Sequence, residues 1–160
     1  MRVLFLHGLE SKPGGTKARF LQEAGYDVLN PALPRESFEE SVNIAQDVID
    51  NMRPDIVVGS SRGGAVAMRV NTRGAGLVLV APAWKRFLSE QQISEWDVRC
   101  EPQDTIILHS RNDDIVLIED SEAVNAQWGV KVVEVGECHR MSDEDALAAM
   151  LDVVQWLGGK

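Results

Sequence analysis

Ser61 stands between two glycines in the run Gly59-Ser60-Ser61-Arg62-Gly63-Gly64. The spacing is G-x-S-x-G, and it falls between a short apolar run at 56–59 and the helix-forming Ala65-Val66-Ala67-Met68. A serine at such a strand-to-helix turn is held in a strained conformation that exposes its Oγ as a nucleophile. A β-carbon two residues to either side would strike the neighbouring strand or helix, which is why glycine is needed at both places. Ser60 has Arg62 at the second of those positions, so Ser61 is the better nucleophile. A serine hydroxyl needs a base to take its proton. The chain has three histidines, and His7, His109 and His139 all fall at or after the ends of apolar runs. The base in turn needs a carboxylate to orient it. The stretch His109-Ser110-Arg111-Asn112-Asp113-Asp114-Ile115-Val116 offers two adjacent candidates, Asp113 and Asp114, with Glu119 a further acid nearby.

The elements that must position these residues alternate in period. Short runs rich in Val, Ile and Leu recur at 2–6, 26–29, 56–59, 76–80, 105–108 and 130–135. Runs of this length that are apolar on both faces suit strands buried within a parallel sheet. Between them lie helical patterns. Ser37, with Glu40 three residues on, opens one at capping-box spacing, and Phe38, Val42, Ala45, Val48, Ile49 and Met52 follow at helical intervals. Ser142 with Asp145 is expected to open the last helix, whose stripe is Ala146, Leu147, Met150, Leu151, Val154 and Leu157, and Gly158 and Gly159 stop it. Strands alternating with helices imply a single-domain α/β fold, a doubly wound sheet of about six parallel strands with helices on both faces. Ligands of such sheets lie beyond the carboxyl ends of the strands, where Ser61 and the candidate acids and bases fall.

Composition narrows the partners. The 160 residues carry 16 Lys+Arg against 25 Asp+Glu, a net charge of −9. That field repels a phosphate backbone, so nucleic acid is not an expected partner. No apolar run approaches the ~20 residues that span a bilayer, and Arg2 is followed by only four apolar residues before His7, too few for a signal peptide. Two cysteines, Cys100 and Cys138, cannot make a disulfide framework. The expectation is a soluble cytoplasmic domain, 1–160, with no linker or repeat. A phosphate-holding glycine turn is the competing reading of 59–64. The chain has neither G-x-G-x-x-G after its first strand nor Gly-Lys-Ser/Thr anywhere, so the nucleotide fingerprints are missing. Cys138 beside His139 has no second Cys/His pair at ligand spacing, and no metal is expected.

Taken together, the strand-end residues resemble the α/β-hydrolase superfamily, in particular its small, lidless bacterial esterases, over nearly the whole chain. The segment 59–63 is similar to that family's elbow, and His7-Gly8 to its oxyanion-loop motif. The stretch 109–116 is similar to the family's His-Gly-x-x-Asp-x-x-Val segment, with Ser110 in place of glycine. The resemblance implies a minimal α/β-hydrolase fold with strand order 2-1-3-4-5-6. It implies the order serine, acid, histidine, which selects Ser61, Asp113 and His139 as the catalytic residues, and it maps the oxyanion donors onto the backbone N–H groups of Leu9 and Arg62. Two departures stand out. The family's two N-terminal antiparallel strands are missing, and 81–104 is too short for a substantial cap domain. Trp84, Phe87, Leu88, Ile93 and Trp96 in that stretch either line a pocket or pack a short helix onto the domain.

The function expected is that of a serine hydrolase (carboxylesterase-like) cleaving a small ester or thioester through an acyl-enzyme intermediate, with no cofactor and no membrane partner. The alternatives are an amidase or peptidase using the same triad, an acyltransferase, and a non-catalytic or regulatory protein that binds a small ligand in the same fold. The oligomeric state is left open. Lys12, Arg35, Arg62, Lys85, Arg86, Arg111 and Arg140 also fall in post-strand segments, suggesting a mouth less negative than the rest of the surface, against which Glu10, Glu36 and Glu137 act.

Overall fold

The computed structural model describes residues 1–96 and 102–160. Six parallel strands form one sheet: β1 (Arg2–Leu6), β2 (Asp27–Leu29), β3 (Ile56–Ser60), β4 (Gly76–Val80), β5 (Thr105–His109) and β6 (Lys131–Glu134). Their order is β2-β1-β3-β4-β5-β6, as the family resemblance implied. Seven α-helices lie among the described residues: α1 (Thr16–Glu23), α2 (Phe38–Met52), α3 (Arg62–Arg69), α4 (Trp84–Phe87), α5 (Glu90–Ser94), α6 (Ile118–Trp128) and α7 (Glu144–Gly158). None of the described helices is long and apolar enough to cross a membrane.

Alternation along each strand builds two cores. Leu4, Leu6, Val57, Leu77, Leu79 and Ile107 face one way and pack with Val42 and Ile49 of α2, Val66 and Met68 of α3 and Val124 of α6. Val3, Phe5, Val58, Val78, Val80 and Leu108 face the other way and meet Leu21 of α1 and Met150, Val154 and Leu157 of α7. A strand buried on both faces must be apolar at every position, which explains why these runs lack polar alternation. The aromatic stretch after β4 divides between its two expected uses. Trp96 is fully buried and meets Trp128 edge to face, with ring centroids 5.3 Å apart. Phe87 instead stacks on Phe38 at 5.3 Å and lines a cavity at the carboxyl edge of the sheet. Cys138 is exposed, and Cys100 lies outside the described residues.

The helix starts follow their local chemistry. Ser37 Oγ accepts the Glu40 N–H at 3.1 Å, the cap its spacing predicts. The last helix begins one residue later than expected. Its cap is Asp143, whose carboxylate accepts the Ala146 N–H at 3.2 Å and the Glu137 N–H at 3.0 Å, while Ser142 Oγ donates back to the Arg140 carbonyl at 3.1 Å. One carboxylate serving two backbone donors outcompetes a hydroxyl already turned toward the preceding loop.

The tightest junction is the turn from β3 into α3. A Cβ at position 63 would lie 2.0 Å from the Leu6 carbonyl oxygen, and one at position 59 would lie 2.5 Å from the Gly63 carbonyl oxygen. Both neighbours are backbone and cannot swing away. Gly63→Ala is therefore expected to destabilise the fold by about 3 kcal/mol, lowering Tm by roughly 6–12 °C for a chain of this size. Gly129, at the end of α6, has φ 71° and open space around it, so Gly129→Ala should cost only about 1 kcal/mol. Paired thermal melts check the difference, and equal shifts would refute the packing argument.

Candidate active site

Ser61 has φ 54° and ψ −113°, a left-handed conformation that an L-residue adopts only when its surroundings impose it. The imposition is visible in its backbone bonds. Its N–H donates to the Val80 carbonyl at 2.9 Å, and its carbonyl accepts from the N–H groups of Gly64, Ala65 and Ala83 at 3.0, 3.2 and 3.0 Å. The side chain is thereby turned out of the sheet at the end of β3.

Its Oγ meets His139 Nε2 at 2.9 Å, and His139 Nδ1 meets Asp113 Oδ2 at 2.7 Å. A nitrogen facing a carboxylate carries the proton, so Nδ1 donates to Asp113 and Nε2 is left to accept the Ser61 hydroxyl proton. The three residues selected from sequence therefore form one continuous hydrogen-bonded chain. Asp114 beside it is exposed, as is Glu119 in the first turn of α6.

The Asp113 carboxylate is held from four sides. Oδ1 accepts the Ile115 and Val116 N–H groups at 2.9 and 2.8 Å. Oδ2, besides His139, lies 3.1 Å from Nε2 of His109, a fully buried ring. His109 Nε2 also faces the Val116 carbonyl at 2.8 Å, and its Nδ1 lies 2.7 Å from Ser121 Oγ. With two acceptors in front of it, Nε2 must be the protonated nitrogen, and Ser121 donates to Nδ1. His109 thus supports the acid, a role its position at a strand end did not announce.

The loop carrying His139 is tied down at several points. Ser110 Oγ donates to the Gly136 carbonyl at 2.8 Å, so the serine that replaces a glycine in the motif links the acid's loop to the histidine's loop. Asp143 holds the Glu137 N–H, and Lys17 of α1 donates to the Arg140 carbonyl. Burial pulls the Lys17 ammonium down from 10.5 to about 8, which leaves it charged at neutral pH. On the other side, buried His7 accepts the Leu33 N–H on Nε2 at 3.0 Å and donates from Nδ1 to the Gly8 carbonyl at 2.8 Å, bracing the turn that precedes Leu9. The Lys17, Ser110 and His7 contacts join segments far apart in sequence, and no spacing rule would have found them.

Leu9 and Arg62 flank Ser61 on the wall of a cavity of about 270 Å³. The Arg62 N–H is at the first turn of α3, where backbone donors have no intrahelical acceptor. Its side chain runs the other way, into the protein. The guanidinium sits 5.7 and 5.8 Å from the Phe38 and Phe87 ring centroids and donates to the Pro34 carbonyl at 2.8 Å and Ser41 Oγ at 3.2 Å. Desolvation lowers its pKa from the usual arginine value. Arg62 is therefore a structural clamp, and it is not one of the cations at the mouth. A second cavity of about 440 Å³ adjoins the first, sharing Leu9, Ser61, Arg86 and Ile115, and is lined further by His139, Lys17 and Arg140 among others. No group of His, Cys, Asp and Glu among the described residues could hold a metal ion.

No curated protein matches the chain in sequence. Solved structures do match its shape. A monoacylglycerol lipase from Paleococcus ferrophilus superposes with a TM-score of 0.74 at 18% identity, covering 99% of this chain and 94% of its own. A protein of the alpha/beta superfamily from Xanthomonas campestris pv. campestris gives 0.75 at 17%, covering 99% and 98%. Est1E from Butyrivibrio proteoclasticus gives 0.68 at 14%, covering 98% and 86%. Identities this low speak for the fold alone. The family model described as the alpha/beta hydrolase family matches residues 3–157, a span holding the elbow, the acid loop and the histidine loop. The chain belongs to the alpha/beta hydrolase family.

Proposed function

We propose that the protein is a serine hydrolase that cleaves a small ester or thioester through an acyl-enzyme on Ser61. The observation that carries this reading is the unbroken chain from Ser61 Oγ to His139 to Asp113 at a turn held in a left-handed conformation. Ser61 Oγ attacks the carbonyl carbon while its proton passes to His139 Nε2. The backbone N–H groups of Leu9 and Arg62 receive the oxyanion that forms. Asp113 balances the resulting imidazolium. Collapse of the tetrahedral intermediate breaks the bond to the leaving alkoxide or thiolate, which takes its proton from His139. Water then attacks the acyl-enzyme, losing its proton to the same nitrogen; collapse of this second intermediate breaks the bond to Ser61 Oγ, which takes that proton from His139 as the carboxylic acid departs. The reading calls for no cofactor.

The two cavities suit the two halves of such a substrate. A leaving group must lie within reach of His139, which lines only the larger cavity. The acyl group then takes the smaller one, beside Leu9, Ala83, Phe87 and Val116. Its size and the apolar side chains on part of its wall suit a short acyl chain, and we read the domain as lacking a cap over this mouth.

A fluorophosphonate is expected to add once, at Ser61, and Ser61→Ala should abolish labelling and turnover together. Labelling that survives this change, or that falls on Ser60, would overturn the assignment. The carboxylates separate equally clearly. Asp113→Asn should remain folded by circular dichroism yet lose roughly 10³–10⁴-fold in kcat, because the amide neither fixes the productive tautomer nor balances the imidazolium. Asp114→Asn, at an exposed side chain, should keep most activity. Since His139 must be neutral to accept the Ser61 proton, kcat/KM should fall on the acid side of the profile. A kcat/KM that shows no fall on the acid side while the protein stays folded would rule out histidine as the base.

A further inference from the structure

The protein is acidic overall, with a formal charge of −9, yet the larger cavity beside Ser61 is lined by three cations. Lys17 enters from α1, Arg86 from α4, and Arg140 from the loop after β6. Among the described residues, none of the three has a carboxylate within ion-pair distance. Several cations elsewhere are neutralised, Arg2 by Asp27, Arg69 by Glu39, Arg73 by Asp50, and Arg111 by Glu122 and Glu134, while Lys12, Arg19, Arg53 and Lys131, unpaired among the described residues, line neither cavity beside Ser61. The one acid on the cavity wall, Glu10, is itself engaged by the Arg35 guanidinium at 3.1 and 3.2 Å. Asp143, which lies near Lys17, uses its carboxylate on the Glu137 and Ala146 N–H groups. Lys85 at the smaller cavity is paired with Asp120 at 3.5 Å, and although Arg86 borders both cavities, Lys17 and Arg140 line the larger one alone, so most of the unbalanced positive charge lies there.

We infer that the substrate carries an anionic group, carboxylate or phosphate, on its leaving half, seated among Lys17, Arg86 and Arg140. The inference rests on the serine-hydrolase reading and specifies which esters that site prefers. The direction follows from geometry. His139 must protonate the departing oxygen or sulfur, so the leaving half occupies the cavity that His139 shares with the three cations. The acyl half meets Leu9, Phe87 and Val116, and of the three cations only Arg86 borders its cavity. An anion entering such a cleft is attracted before it docks, and in a partly desolvated mouth the attraction exceeds its value in open water.

The test compares p-nitrophenyl acetate derivatives that differ only ortho to the nitro group, one bearing a carboxylate and the other a neutral carboxamide. At low salt the carboxylate ester should have the higher kcat/KM by about tenfold. The preference should shrink toward parity at about 1 M salt, where the screening length is about 3 Å. The double variant Arg86→Gln, Arg140→Gln should bring the two esters near parity at low salt. Lys131→Gln, an exposed change on the far edge strand, should leave the ratio as it was. Parity in the wild-type protein, or a preference that persists in the double variant, would overturn the inference while the hydrolase reading stood. Hydrolysis of neither ester together with no fluorophosphonate labelling would remove the reading itself, and the inference with it.

Discussion

The carbonyl oxygen of Leu6 leaves no room for a side chain at position 63, and most of the site follows from that contact. Because α3 begins hard against the end of β1, the chain leaving β3 must turn within one residue. Ser61 takes the left-handed conformation that the turn demands. Its carbonyl is consumed by three backbone donors, so the strain is over-determined by its neighbours. The same closeness places the first N–H of α3 beside Ser61, opposite Leu9 on the turn after β1. A proposed nucleophile and its proposed oxyanion donors thus share one origin in backbone packing, and the side chain of Arg62 secures that origin from below by clamping the segment after β2.

A second layer of support converges on Asp113. Two backbone N–H groups, the buried ring of His109 and the ring of His139 all reach its oxygens. This explains why one of two adjacent aspartates can serve as an acid partner and the other cannot. Asp113 lies inside a turn that closes on it, with its own N–H bonded to the Ser110 carbonyl at 3.2 Å, while Asp114 faces water. His109 could not be replaced by an apolar residue without leaving Oδ2 and Ser121 short of partners, a burial cost that typically runs to about 1–3 kcal/mol per group.

Much of this was legible in the sequence, for physical reasons. The strands were visible because burial on both faces removes polar residues from short runs, and their order was implied by resemblance to a family whose topology is invariant enough to name. The elbow was visible because steric exclusion at two fixed offsets admits only glycine. The start of α7 was misplaced by one residue, since a serine and an aspartate side by side are both good caps and only tertiary context chose between them. The bracing roles of His7, Lys17, Ser110 and His109 were invisible. Each depends on contacts between segments brought together by the sheet, and nothing in a residue's own neighbourhood encodes them.

The all-parallel sheet has a further consequence in time. Arg2 pairs with Asp27, and Val3 with Ile56, so even adjacent strands are joined only across long stretches of chain. The hydrogen bond from Ser61 to His139 spans 78 residues, and that from His139 to Asp113 spans 26. Among the described residues there is no hairpin from which a partial sheet could grow locally, and such topologies close loops before any pairing rewards the lost entropy. Ser61, Asp113 and His139 meet only when strands from both halves of the chain are in register. During refolding, their assembly should be among the last events, which makes it an index of complete folding that secondary structure alone does not supply.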